Sequence, residues 1–157
     1  MPPQFLFDIN GLDLNRIIHD QEEIRRYNPQ RGHMEMLNAI VYVDETHHRL
    51  IGYKDVREDE FWVTGHIPGR PLLPGVLMVE AAAQLASFYA LRYVGWKGFM
   101  GFSRIEQCRF RMQVAPPCRL YVLGEQVYSR HGHICCRHQG VINGNLAFES
   151  TIVGAKL

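Results

Sequence analysis

Hydrophobic and polar positions sort the chain into segments of two kinds. Leu37–Asp44 (LNAIVYVD) and Arg49–Val56 (RLIGYKDV) are rich in β-branched and aromatic residues and flank the polar run Asp44–His48. That pattern predicts two strands joined by a turn, with His47 and His48 solvated in it. Phe99–Val114 carries a longer strand pattern, with room for a bend at Gly101 or near Glu106-Gln107, before Pro116-Pro117 breaks it. Arg119–Ser129, His133–Ile142 and Leu146–Gly154 follow as strands, and Asn143-Gly144 between the last two signals a type I′ hairpin turn. Asp20–Tyr27 predicts a short helix, with Asp20 as its cap, Glu22 and Glu23 in its first turn and Pro29 past its end. Met1–Asn15 is an N-terminal extension, expected to lie on the surface or against a partner subunit.

One stretch breaks the strand rhythm. Phe61–Val94 opens with a short β-like run, crosses a loop rich in Pro and Gly, then continues from Gly75 without Gly or Pro as far as Gly95. Pro74-Gly75 is a helix start and Gly95 a helix stop. The helix between them is apolar on nearly every side, so it is expected to be buried on nearly every side. Glu80, Gln84 and Ser87 form the exception, a polar seam at helical spacing. A membrane span needs roughly 18 uninterrupted apolar residues; Glu80, Gln84 and Arg92 interrupt this run. Six or so strands and one enclosed helix predict an α+β fold, in which an antiparallel sheet wraps the helix within a single domain spanning 1–157.

Composition adds exclusions. A net charge of +1 over 157 residues points to neither nucleic acid nor an anionic membrane as partner. The four cysteines, Cys108, Cys118, Cys135 and Cys136, show no CxxC spacing, and with no signal-like N-terminus a reducing cytoplasm is the expected compartment. His131, His133 and Cys135 alternate onto one strand face near Cys136 and His138, but match no zinc spacing, and no metal is expected.

Two residues carry candidate chemistry. His66 lies in Thr-Gly-His-Ile-Pro, and the loop after it can return it to the start of the helix that bears Glu80. An acid/base pair beside the N–H groups of a helix start suits proton transfer next to a carbonyl. The same two residues also read as a turn histidine and a helix glutamate satisfied by a basic neighbour.

GHIPGRPLLPGVLMVEAAAQ, residues 65–84, resembles the signature of the FabZ-type 3-hydroxyacyl-[acyl-carrier-protein] dehydratases, roughly G-H-F-P-x-x-P-[IL]-[ML]-P-G-V-L-x-[IV]-E-A-x-A-Q. Gly65, His66, Pro68, Pro71, Pro74, Gly75, Val76, Leu77, Glu80, Ala81, Ala83 and Gln84 all match, and Ile67 replaces the usual Phe. Ile24–Arg31 resembles I-x-x-x-L-P-H-R, and Arg109-Phe110-Arg111 with Val114 resembles R-F-R-x-P-V. Gln30–Met34 departs from the family's H-R-Y-P-F, whose Tyr gates the acyl tunnel, and Pro116-Pro117-Cys118 departs from its P-G-D turn, so the resemblance implies neither gate nor chain length here.

The resemblance implies the hotdog fold and a hydro-lyase of fatty acid biosynthesis that converts (3R)-3-hydroxyacyl chains on acyl carrier protein to trans-2-enoyl chains without a cofactor. It implies His66 as the base at C2, Glu80 as the acid at the 3-hydroxyl and the Gly75 N–H at the thioester carbonyl, with Pro74, Val76 and Gln84 in support. Gln84 either orients Glu80 or a water, or bonds across a dimer. It implies a homodimer, possibly a trimer of dimers, with His and Glu of each site drawn from different subunits. Arg104, Arg109, Arg111 and Arg137 are candidates for docking the acidic carrier. Two other readings are a hotdog acyl thioesterase and a non-catalytic acyl-binding subunit; His66 speaks against the former, and the altered Gln30–Met34 segment keeps the latter open.

Overall fold

The computed structural model describes residues 4–157. Chain order runs α1 (Gln21–Arg25), β1 (Ala39–Asp44), β2 (Arg49–Val56), α2 (Gly75–Tyr89), β3 (Met100–Phe110), β4 (Cys118–Arg130), β5 (His133–Ile142) and β6 (Asn145–Lys156). The strands form one antiparallel sheet in the order β1-β2-β4-β5-β6-β3, and α2 lies against one face. This is the hotdog arrangement. No helix among the described residues is long and apolar enough to cross a membrane.

Local chemistry sets the boundaries. Asp20 accepts from the Glu23 N–H at 2.9 Å and caps α1. α2 runs into a π-helical turn, Ala90–Val94, and stops where Gly95 adopts the left-handed conformation, φ 89°. Asn143 and Gly144 both have positive φ, as a type I′ turn requires. β3 carries two bulges against β6, at Phe102/Arg104 and Ile105/Gln107, the second of them at the predicted bend.

Three expectations are corrected. Phe61–Thr64 is not a strand: the Trp62 carbonyl accepts from the N–H groups of both Gly65 and His66, at 3.2 and 2.7 Å, and curls the chain into turns. β3 ends at Phe110 rather than Val114, because the Val114 carbonyl accepts from Leu73 N–H at 2.8 Å and ties that segment to the loop before α2. His131 lies in the β4–β5 turn with φ 52°, so it shares no strand face with His133 and Cys135.

The two faces of the sheet bury different things. Towards α2 lie Leu50, Leu120, Val122, Ile134, Cys136, Phe148 and Ile152, packed with Met78, Ala82, Leu85, Ala86 and Phe88. The opposite face, with Val41, Ile51, Tyr53, Leu123 and Val141, is covered by the N-terminal extension through Phe5, Phe7, Ile9, Leu12 and Leu14. The extension is pinned at β5, where Leu6 N–H donates to Gln139 Oε1 at 2.8 Å and Gln139 Nε2 donates to the Gln4 carbonyl at 3.1 Å.

His138 on β5 is a polar intruder under α2. It is 1 % exposed, neither ring nitrogen has a partner among the described residues, and burial pushes its pKa down to about 3. Unfolded, the same ring titrates near 6.5. Below that pH the unfolded chain takes up a proton that the folded one refuses, so the stability present above about 6.5 is lost as pH falls towards 3. Urea midpoints taken at pH 7.5 and 5.0 should show a loss of about 2 kcal/mol from this group. His138→Gln should remove that part of the pH dependence, whatever it does to stability at pH 7.5.

Candidate active site

His66 is fixed by its own loop. Its backbone N–H donates to Trp62, its carbonyl accepts from Leu72 N–H at 2.9 Å, and Ile67 and Arg70 exchange backbone bonds of 3.0 and 2.7 Å around the turn that follows. Its ring Nδ1 lies 2.7 Å from the Leu72 carbonyl oxygen. A carbonyl can only accept, so Nδ1 carries the hydrogen and the neutral ring presents Nε2 as a bare acceptor. Nε2 has no partner among the described residues, and the residue is exposed. The neutral ring is therefore arranged as a base pointing outwards.

The loop is anchored beneath by a buried ion pair. Lys54 Nζ on β2 donates to Glu60 Oε1 at 2.5 Å, with both side chains more than nine-tenths buried, and Glu60 Oε2 accepts from Arg57 N–H at 2.8 Å. Trp62, 3 % exposed, packs into the main core just beyond.

Glu80 sits on the second turn of α2 and is partly buried. Its Oε1 accepts from Gln84 Nε2 at 2.9 Å. Gln84 is 3 % exposed and fully engaged: Nε2 also donates to the Met34 carbonyl at 2.7 Å, Oε1 accepts from Met36 N–H at 2.9 Å, and its backbone carbonyl accepts from Asn28 Nδ2 at 2.9 Å. Gln84 thus bonds Glu80 within the chain. The second tether, to Met34 and Met36, had no signal in residue spacing, because it runs to backbone atoms.

α2 opens without a side-chain cap. Pro74 precedes it, and the N–H groups of Gly75 and Val76 donate to nothing among the described residues. A helix start with bare donors attracts negative charge. Gly75 is also required by space: a Cβ there would come within 2.8 Å of the Phe110 ring. Val76 is 72 % exposed beside it.

His66 and Glu80 form no hydrogen bond or ion pair with each other within one chain; each is held by the partners named above. Beside them the sheet ends in a bare edge. Phe110 lies against Gly75, so it points to the α2 side, as do Ile105 and Phe102 by register; yet they are 52, 44 and 44 % exposed.

The arginines expected at a docking surface lie on the face of the sheet turned away from α2. Arg109 and Arg111 alternate with Phe110 and so point away from α2, and Arg104 pairs with Val153 in the same sense. Arg104 bonds Glu106, Arg111 bonds Glu149 and Arg137 bonds Glu125. Arg70 lies in the loop of His66, and its guanidinium donates to Gln113 Oε1 at 2.7 Å.

Comparison with known proteins adds the following. A family model described as a FabA-like domain matches residues 28–151. A 3-hydroxyacyl-[acyl-carrier-protein] dehydratase FabZ from Alkaliphilus metalliredigens is 39 % identical over 145 residues, 92 % of this chain and 95 % of that one. Its counterpart from Geotalea uraniireducens is 34 % identical over 85 % of this chain and 93 % of its own. Among solved structures, a sigma28-regulated virulence protein from Campylobacter jejuni superposes with a TM-score of 0.64 at 14 % identity, covering 89 % of this chain and 94 % of that one. The dehydratase heterocomplex ApeI:P from Xenorhabdus doucetiae superposes with a TM-score of 0.55 at 20 % identity, over 74 % of this chain and 96 % of that one.

The Lys54–Glu60 pair should be costly to halve. Glu60→Gln leaves an ammonium buried without its carboxylate and should lower unfolding free energy by about 3 kcal/mol, measured in urea. Lys54→Met with Glu60→Leu should recover most of the loss.

Proposed function

The chain belongs to the FabA-like domain family and, within it, to the FabZ dehydratases, and from that premise we propose that it eliminates water from (3R)-3-hydroxyacyl thioesters on acyl carrier protein, giving the trans-2-enoyl thioester. The observation that carries the site assignment is the fixed tautomer of His66, whose Nδ1–H is committed to the Leu72 carbonyl while Nε2 stays open.

His66 Nε2 takes the proton from C2, which the thioester carbonyl has already acidified. As that bond breaks, negative charge moves onto the carbonyl oxygen, and the bare N–H groups of Gly75 and Val76 receive it. Glu80, in its protonated form, gives a proton to the departing 3-hydroxyl, which leaves as water. Gln84 fixes the carboxyl by its bond to Oε1. C2–H and C3–O are broken, C2=C3 is made, and the two protons moved leave no net redox change, so the residues present suffice.

The acid and base come together from two copies of the chain. β3 ends the sheet with unpaired backbone groups and half-exposed Phe102, Ile105 and Phe110, a surface suited to antiparallel pairing with the same strand of a second copy. A homodimer built this way closes the space between α2 and β3 into an acyl channel. The carrier docks at the loop of His66, with Arg70 nearer to it than Arg104, Arg109 or Arg111.

Purified protein given 3-hydroxyacyl carrier substrates should form the enoyl product, read by absorbance or mass. His66→Ala and Glu80→Gln should each lower kcat/KM by about 10²–10⁴-fold, the usual contribution of one acid/base group. Mixing the two inactive variants under conditions that exchange subunits should restore activity, since one site of each mixed dimer is intact. Release of free thiol without elimination would identify a thioesterase and overturn the reading.

A further inference from the structure

The α2-facing side of the sheet contains a row of polar side chains that the elimination does not use. Register places Cys108 of β3 opposite Ser150 of β6, and Ser150 opposite His138 of β5. All three point towards α2: Phe148 and Ile152, which flank Ser150 on the same face, and Cys136, which flanks His138, belong to the α2 core, and Cys108 packs against it. The row deepens inwards. Cys108 is partly exposed, Ser150 is 5 % exposed and His138 1 %.

Both ring nitrogens of His138 and the hydroxyl of Ser150 lack partners among the described residues. Side chains opposite each other on neighbouring strands have Cβ atoms about 5 Å apart, close enough to bond, and these two do not. Buried polar atoms without partners are rare, because leaving them unsatisfied is costly. A neutral imidazole offers one donor and one acceptor, and a serine hydroxyl offers both. The complement of such a row is an oxygen function with both roles, as in a hydroxyl group.

The row meets the surface at Cys108, on the side of β3 that faces α2. Phe110, which touches Gly75, lies two residues from Cys108, roughly 7 Å along the strand. An acyl chain whose thioester sits at the start of α2 and whose tail follows the inner side of β3 would pass Cys108 at mid-chain. On the far side of His138 the row is shut by Leu85, which stands over Gly124.

We propose that Cys108, Ser150 and His138 form a polar subsite in the acyl channel that recognises a hydroxyl group in the middle of the substrate chain. This rests on the dehydratase reading above, and it makes the enzyme selective for oxygenated over plain alkyl chains.

The test compares matched 3-hydroxyacyl carrier substrates, one with a plain chain and others with a second hydroxyl stepped along the middle of the chain. At one such position wild-type kcat/KM should exceed that of the plain chain by about tenfold or more. The ratio should fall towards one in Ser150→Ala and in His138→Phe, with folding of each checked by circular dichroism. Ser150→Ala, which only deletes an oxygen, decides the matter if His138→Phe does not fold. A wild-type ratio at or below one at every position, or a ratio unchanged in Ser150→Ala, overturns the subsite and assigns the row to trapped water. Elimination from none of the substrates overturns the dehydratase reading itself.

Discussion

Enclosing α2 is the constraint from which the rest of the structure follows. From Met78 to Leu91 every residue except Glu80 is buried, so no side of the helix can be left to water. A six-stranded sheet shields one side. The segment Tyr27–Leu37 reaches the helix by packing and by hydrogen bonds to Gln84. What remains uncovered is the inner side of β3 itself, where Phe102, Ile105 and Phe110 stay about half exposed. The pairing of two copies and the acyl channel proposed above both draw on that uncovered surface.

Within this apolar helix the polar residues are few, and the bond between Glu80 and Gln84 organises the site. Gln84 is the hub. Its amide links Glu80 to the backbone of Met34 and Met36, so the orientation of the carboxyl is coupled to the Gln30–Met34 segment, which departs from the family pattern. The same segment sets His33 against Phe61 at 5.7 Å, at the base of the loop that carries His66. The altered residues thus touch both the support of Glu80 and the loop of His66.

Much of this was legible in the chain. Six strands, a short capped helix, the hairpin at Asn143-Gly144 and the buried helix between Pro74 and Gly95 all follow from local periodicity and turn chemistry. The strand-like look of Phe61–Thr64 misled because aromatic and β-branched residues favour strands on average, while here Trp62 anchors a turn through its carbonyl. Backbone partners were out of reach altogether: the Leu72 carbonyl that fixes the tautomer of His66 and the Met34 carbonyl that holds Gln84 leave no trace in side-chain identity. The placement of Arg109 and Arg111 was hidden for another reason. Alternation says that neighbours oppose each other, but only the contact of Phe110 with Gly75 says which of them faces the helix.

The uncapped start of α2 sets a limit on how this protein can be made hardier. Serine or aspartate in place of Pro74 is the change that general helix chemistry recommends, and such caps usually add about 1 kcal/mol. Here the incoming oxygen would reach the Val76 N–H, one of the two donors proposed above for the thioester carbonyl. On that proposal, selection for thermal endurance and selection for turnover pull in opposite directions at this one position, with the proline leaving that donor free.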